Sequence, residues 1–308
     1  MSTNAIQSRH IYSTYFAPRG RSRIYTLGMQ IAQLYLSPFD QIIGFIGEAG
    51  SGKSVLIKGM FPGIELTNDD DGVNVRPLPL LEQEYETGFF TPHTYHLDIR
   101  FETGFHQLSE LADAVRLAVR RGKRIIIEHF DLIYPLLGVN ANLLIGVGEQ
   151  IVITRPNLFG PLPQELCDIV YPSLAYRLMA HSAEDLCEYA MTQEQMLACS
   201  HGDIRHGFVL EFNEHQPDID IPTLEARVNE LIRQDLPIDY YDESHILLGG
   251  AQHYCTGPRT HVRSTGRIIG FRLLDHFIYD HFHKTYMLVG CVGDDSEENI
   301  RKLETIHG

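Results

Sequence analysis

The run Gly47-Glu48-Ala49-Gly50-Ser51-Gly52-Lys53-Ser54 constrains this chain more than any other feature. Apolar Ile42, Ile43, Phe45 and Ile46 precede it and read as a buried parallel strand, and Val55-Leu56-Ile57-Lys58-Gly59-Met60 continues it as a helix. A glycine-rich turn between strand and helix winds tightly enough to aim successive backbone N–H groups at one point. The positive end of the new helix faces the same point, so the concavity attracts phosphate. Gly47, Glu48, Ala49, Gly50, Ser51, Gly52, Lys53, Ser54 and Val55 therefore form the expected cradle, with ATP and Mg2+ as the implied cofactors. Lys53 is placed to reach the β/γ-phosphates, and the Ser54 hydroxyl to ligate magnesium.

The chain has 308 residues, 44% of them hydrophobic, enough for two ordinary domains with their own cores. The opening Met1 to His10 is polar and unlike a signal peptide. The apolar stretch Leu132 to Val147 is interrupted by Pro135, Asn140 and Asn142, so no membrane segment is expected and the location read is cytoplasmic. Five scattered cysteines, Cys167, Cys187, Cys199, Cys255 and Cys291, make no disulfide framework and are expected as reduced thiols. The net charge of −15 is uneven: residues 1 to 165 hold 14 basic and 17 acidic side chains, residues 166 to 308 hold 11 and 23. Such an acidic second half argues against a broad nucleic-acid platform and against DNA as a partner. A local basic run, Arg259, Arg263, Arg267 and Arg272, leaves room for a confined anionic contact.

Around the glycine turn, the spacing predicts a helix over Tyr25 to Tyr35, ended by Ser37-Pro38, and a polar loop at Asn68-Asp69-Asp70-Asp71-Gly72. The three aspartates lack the alternating spacing and distal glutamate of a calcium loop. Tyr95-His96-Leu97-Asp98-Ile99-Arg100 alternates like a strand, which puts His96, Asp98 and Arg100 on one face. A helix from Ser109 to Arg121 leads to the apolar strand Arg124-Ile125-Ile126-Ile127-Glu128-His129. Ligands of open α/β sheets gather at the carboxyl ends of the strands, so Asp98 and Glu128 are the candidate magnesium or water-orienting acids. Together with Lys53 they form the expected catalytic set, and with Ser54 the expected magnesium ligands. A last strand, Gln150 to Thr154, leads to Arg155, read as a possible γ-phosphate sensor.

The order of glycine-rich loop, Glu82-Gln83-Glu84-Tyr85-Glu86-Thr87-Gly88, Tyr95 to Arg100 and Ile125-Ile126-Ile127-Glu128 resembles the TsaE family, the ATPase subunit of the bacterial tRNA threonylcarbamoyladenosine system. That family's strand motif is His-x-Asp-x-Tyr-Arg, and its aspartate and a later Ile-Glu-Trp glutamate serve the magnesium nucleotide. By resemblance those roles fall on Asp98 and Glu128, and Thr26 matches the threonine of the helix before the loop. Arg100 stands where the family has tyrosine, Phe101 where it has arginine, and His129 replaces the tryptophan. Arg76-Pro77-Leu78-Pro79 replaces a Ser-Pro-Thr switch segment. The resemblance covers roughly residues 20 to 165 and implies a nucleotide site more directly than the family's partner.

A second pattern lies in Cys255-Thr256-Gly257-Pro258-Arg259-Thr260-His261-Val262, followed by Ser264-Thr265-Gly266-Arg267-Ile268-Ile269-Gly270-Phe271. With Phe208 to Phe212 and Leu224 to Ile232 upstream, it resembles the second additional (editing) domain of alanyl-tRNA synthetase over roughly residues 172 to 290. In that family a His-x-x-x-His pair and a Cys-x-x-x-His pair hold zinc for hydrolysis of misacylated tRNA. The resemblance places the zinc ligands here at His181, Asp185, Cys255 and His261, with Asp185 in place of the second histidine and two extra residues between Cys255 and His261. Carboxylate oxygen is an accepted zinc ligand, so Zn2+ joins the implied cofactors.

The expected architecture is thus an α/β P-loop nucleotide-binding domain with a mostly parallel sheet and flanking helices over 1–168, then an α+β alanyl-tRNA-synthetase-editing-like domain over 169–308. The leading expectation is an ATP-hydrolysing protein of tRNA-related metabolism, whose second half meets a tRNA acceptor end or a tRNA-related protein. The alternatives are a zinc-dependent trans-editing deacylase regulated by nucleotide, and a non-enzymatic nucleotide-dependent adaptor.

Overall fold

The computed structural model describes residues 11–66, 93–213 and 215–307. The segments read above at 68–72, 76–79 and 82–88 lie outside the described residues. The chain divides into two compact units, one of Met1–Tyr15 with Ile24–Pro172, the other of Phe16–Arg23 with Ser173–Gly308.

The first unit is α/β. Strands β1 (Tyr12–Phe16), β2 (Ile42–Ile46), β3 (Thr94–Asp98), β4 (Arg124–Glu128), β5 (Leu143–Val147) and β6 (Gln150–Thr154) form one sheet in the order β3-β4-β2-β5-β6-β1. The pairs β3–β4, β4–β2 and β2–β5 are parallel, and β5–β6 is antiparallel. Every residue of β2 and β5 is buried, as expected of strands covered on both faces, which is why they read as unbroken apolar runs. Helix α1 (Arg21–Tyr35) precedes β2, and α2 (Lys53–Met60) follows it. Between β3 and β4 lie the short α3 (Ile99–Glu102) and α4 (Leu108–Arg120), and between β4 and β5 lies α5 (Phe130–Leu137). Leu111, Val115 and Ala118 of α4 recur at helical spacing and pack with Phe130, Ile133 and Leu137 of α5 against Ile125 and Ile127.

Two glycines set how closely α1 approaches α2. A Cβ on Gly59 would lie 2.2 Å from the Tyr25 carbonyl oxygen, and one on Gly28 would lie 2.5 Å from that of Leu56. The helix that follows the glycine turn is thus held backbone to backbone against its neighbour.

One element departs from the sequence expectation. The strand carrying His96 ends at Asp98 rather than running on through Arg100. The Asp98 carboxylate accepts a hydrogen bond from the Phe101 backbone N–H (3.1 Å), and this cap opens α3 at Ile99. Arg100 therefore rides on a helical turn and does not share the His96 and Asp98 face.

The second unit is α+β with antiparallel sheets. Helix α6 (Pro163–Ala190) contributes its residues from Ser173 onward, followed by α7 (Gln193–Ala198), β7 (Cys199–Ile204) and β8 (Gly207–Asn213). Helix α8 (Ile221–Arg233) starts with a proline in its first turn. Next come β9 (Ile238–Asp242), β10 (His245–Leu248) and β11 (Ala251–Tyr254), then β12 (Arg272–Leu273), β13 (Ile278–Asp280), β14 (Thr285–Cys291) and α9 (Ser296–His307). One sheet runs β12-β14-β8-β7, with β13 also paired to β14; a second, separate sheet runs β11-β10-β9. Phe208, Leu210 and Phe212 of β8 form a core with Ala183, Leu186 and Cys187 of α6 and Leu224 and Val228 of α8. No described helix is long and apolar enough to cross a membrane.

Candidate functional site

Two clusters of buried polar side chains stand out, one in each unit. The first surrounds the glycine turn at the carboxyl end of β2. Gly52 adopts φ 93°, a left-handed conformation that glycine reaches without strain, and it caps α2. This places Lys53 and Ser54 in the first turn of α2, beside the carboxyl ends of β4 and β3. In the parallel register Asp98 is the partner of Glu128, so the two acids leave adjacent strands at the same level.

Lys53 is buried, and its Nζ donates to the Gly47 and Glu48 carbonyl oxygens, each at 2.9 Å, while standing 3.7 Å from Glu128 Oε2. Ser54 Oγ donates to Glu128 Oε1 at 3.2 Å, and His96 Nε2 lies 3.1 Å from the same oxygen. Burial lowers the Lys53 ammonium below its ordinary value, and Glu128 and Asp98 oppose this. Burial also penalises the Glu128 carboxylate, yet the His96 hydrogen bond and the charges of His96 and Lys53 outweigh it, leaving the acid below its ordinary value.

His129 follows Glu128 directly. Its φ of 56° puts a non-glycine residue in the left-handed region, a conformation costing roughly 1–2 kcal/mol. Burial, then the Lys53 and Arg100 charges, push its imidazole down to about 4, so it is neutral at pH 7. Its Nδ1 is buried with no hydrogen-bond partner among the described residues. Donor atoms of Asp98, Glu128 and His129 all lie within 4.8 Å of one another. On the turn itself, Arg100 grips Glu48 through two contacts of 3.0 and 3.3 Å, which hold the Glu48 carboxylate below its ordinary range.

The structure thus brings Lys53, Ser54, Asp98 and Glu128 together and adds His96, His129 and Arg100. Arg155 is placed elsewhere: both terminal nitrogens contact Asp40 (2.6 and 2.7 Å), and they also donate to the Tyr35 and Asn142 carbonyls. Its charge is consumed in tying the end of β6 to the entry of β2, so it is no phosphate sensor. Thr26 lies exposed on α1.

The second cluster tests the zinc set implied by the editing-domain resemblance. Asp185 of α6, Cys255 and His261 do converge, with His261 Nε2 2.7 Å from Asp185 Oδ2 and 3.7 Å from Cys255 Sγ. His181 does not join them; its Nε2 lies 3.6 Å from Asp203 on β7. Nor are the converging donors free. The guanidinium of Arg19, 1% exposed, donates to Asp185, to Glu184 and, at 3.0 Å, to Cys255 Sγ. A resident cation already neutralises the carboxylates, so these residues do not fit a metal ion. Replacing a histidine by Asp185 gives the site a charge that an arginine pairs with directly.

The electrostatics follow from burial. Asp185 is held well below the carboxylate range, where the Arg19 charge and the His261 hydrogen bond outweigh the burial that opposes them. Burial takes the neighbouring Glu184 up to about 7 against the pull of Arg19, and the Cys255 thiol up to about 12. Burial also pushes His181 down to about 3.

Sequence reasoning missed Arg19, whose local context Ala17-Pro18-Arg19-Gly20 carries no pattern. It also passed over Cys199 and His201, two residues apart on a strand and so on one face, although that spacing is legible. No protein-family model matches the chain, and no curated protein matches it.

Two predictions follow from the second cluster. Replacing Arg19 by Met strands two buried carboxylates and should destabilise the second unit by about 3–5 kcal/mol, read by chemical denaturation. His181, with a folded-state value of about 3 against an ordinary 6.5, contributes stability that is complete above pH 6.5 and is lost as pH falls toward 3. A His181→Gln variant should therefore show a shallower loss of stability than the unaltered protein across that window. Parallel acid limbs would show that His181 does not titrate this way.

Proposed function

We propose that the first unit binds a magnesium nucleoside triphosphate, ATP in the first instance, and hydrolyses it. The observation that carries this reading is the meeting of the Lys53 ammonium, the Ser54 hydroxyl and the Glu128 carboxylate where a glycine turn joins a central parallel strand to a helix. An anion at this turn meets backbone N–H groups and the positive end of α2 together. Lys53 rests on two carbonyl oxygens of the turn, so its charge stands at the cradle and would meet the β- and γ-phosphates of a bound nucleotide.

The donor set suits magnesium. Ser54, Asp98 and Glu128 offer oxygens only, and the 3.2 Å between Ser54 Oγ and Glu128 Oε1 matches the ~3 Å edge of an octahedron with bonds of ~2.1 Å. When bound, the ion neutralises phosphate charge and orients the transferring group. Glu128 is kept ionised by His96 and Lys53, as a residue positioning an attacking water must be. Neutral His129 beside it offers a nitrogen to a water proton. Phosphoryl transfer depends chiefly on such positioning and charge neutralisation.

For the second unit, we infer a binding module related to the alanyl-tRNA editing domain, acting on a tRNA acceptor end or a tRNA-related protein without hydrolysing an ester. The strand and helix order, β8 then α8, supports the relation. The engagement of Asp185 and Cys255 by Arg19 argues against a hydrolytic metal centre there, since such a centre needs an open coordination position. The finer reading is therefore an ATP-driven adaptor in tRNA-related metabolism.

Lys53→Ala should abolish ATP binding by calorimetry, whereas Glu128→Gln should retain binding and lose hydrolysis by about 10²-fold or more, the scale of a misplaced catalytic base. Unchanged affinity in the lysine variant would refute the nucleotide site. Purified protein should leave Ser- or Gly-charged alanine tRNA intact; rapid deacylation would instead restore the editing-enzyme reading.

A further inference from the structure

A third group of metal-type donors lies in the second unit, beside the Arg19 cluster, where Asp185 borders Glu188 and His253, and it is unused by the reading above. Glu188 sits in the last turn of α6, Cys199 and His201 are the first and third residues of β7, and His253 is the third residue of β11. Alternation along a strand puts Cys199 and His201 on one face of β7. Glu188 Oε1 lies 2.7 Å from His201 Nε2 and 3.5 Å from Cys199 Sγ. Its other oxygen lies 4.0 Å from His253 Nε2. One carboxylate thus faces one thiol and two imidazoles.

A second observation points to a ligand. His253 is 7% exposed, and its ring stands edge-on to Tyr189 with centroids 5.8 Å apart. Yet its Nε2, aimed toward Glu188, is buried without a hydrogen-bond partner among the described residues. Leaving such an atom unsatisfied costs about 1–3 kcal/mol, a penalty that a bound ion removes. Donors of Glu188, Cys199 and His201 lie mutually within 4.8 Å.

We propose that Glu188, Cys199, His201 and His253 form a zinc site. Bonds of about 2.0 Å to nitrogen or oxygen and about 2.3 Å to sulfur, arranged tetrahedrally, separate donors by roughly 3.3–3.8 Å. The Glu188 to Cys199 spacing of 3.5 Å falls within that range, and the Glu188 to His253 spacing of 4.0 Å lies just beyond it. The shorter contact to His201 is a hydrogen bond whose proton the metal displaces. A thiolate with two imidazoles selects zinc over magnesium or calcium, which take oxygen ligands. Glu188, Cys199 and His201 already form one group, and with His253 drawn in from the other side of Glu188 four protein ligands would close the coordination sphere, which makes the site structural rather than catalytic. It differs from the set implied by the editing-domain resemblance in every ligand. Bound there, zinc would join α6 to one strand from each of the unit's two sheets.

The test uses the full chain, stripped with a chelator and titrated with zinc, with cysteine alkylation mapped peptide by peptide. About one zinc per chain is expected, with Cys199 protected from alkylation on zinc addition and Cys255 unchanged. Cys199→Ser and His253→Gln should each weaken zinc binding by more than the roughly 10–100-fold that losing an outer-shell partner costs. Absence of stoichiometric zinc, or protection of Cys255 in place of Cys199, would overturn the proposal. The footprint on the unaltered protein decides the matter even where a variant fails to fold.

Discussion

The Glu128 carboxylate is the contact on which the first unit's polar architecture depends. It is 2% exposed at the end of an otherwise apolar strand, and its burial is tolerable only because a lysine, a serine hydroxyl and a histidine reach it from other elements. An ionised carboxylate without those partners would cost several kcal/mol. Lys53 and Ser54 come from the first turn of α2 and His96 from the neighbouring strand, so satisfying one buried acid fixes how that helix and that strand meet β4. The left-handed backbone at His129 belongs to this arrangement, because it ends the strand at the acid and lets α5 begin at the next residue.

The second unit solves a similar problem with a different cation. Asp185 and Glu184 are buried carboxylates on one helix, and Arg19 answers both with a single planar guanidinium. A guanidinium is always charged and presents its donors in a rigid planar fork, which suits it to a pocket where two carboxylates approach from one helix. Glu188, one helical turn further along α6, meets histidine and cysteine instead. Neighbouring acids on one helix thereby acquire opposite chemical characters.

The glycine turn and its flanking elements were legible in sequence because they are contiguous: strand, turn and helix follow within 20 residues, and local pattern suffices to specify them. Glu128 and Asp98 were legible because a buried apolar strand that ends in an acid is unusual in itself. Arg100, Arg155 and His181 were not, since each is decided by a partner far away or by a cap. Alternation continued through Ile99 and Arg100, but one Asp98 hydrogen bond to the Phe101 N–H ended the strand there. Arg155 was read as a phosphate sensor from its place at the end of a strand, whereas Asp40, more than a hundred residues earlier, claims it. The α/β character of the first half followed from its apolar strands and helical spacing, and the α+β character of the second from the editing-domain resemblance.

Arg19 carries a consequence for how this molecule is divided. The segment Phe16–Arg23 groups with residues 173–308, although some 150 residues of the first unit intervene. A gene fragment beginning near residue 169 would encode every strand from β7 onward, yet it would leave Glu184 and Asp185 without the Arg19 guanidinium that pairs with both. The second unit is therefore discontinuous in the chain, and a self-sufficient version requires the early octapeptide to be supplied alongside it.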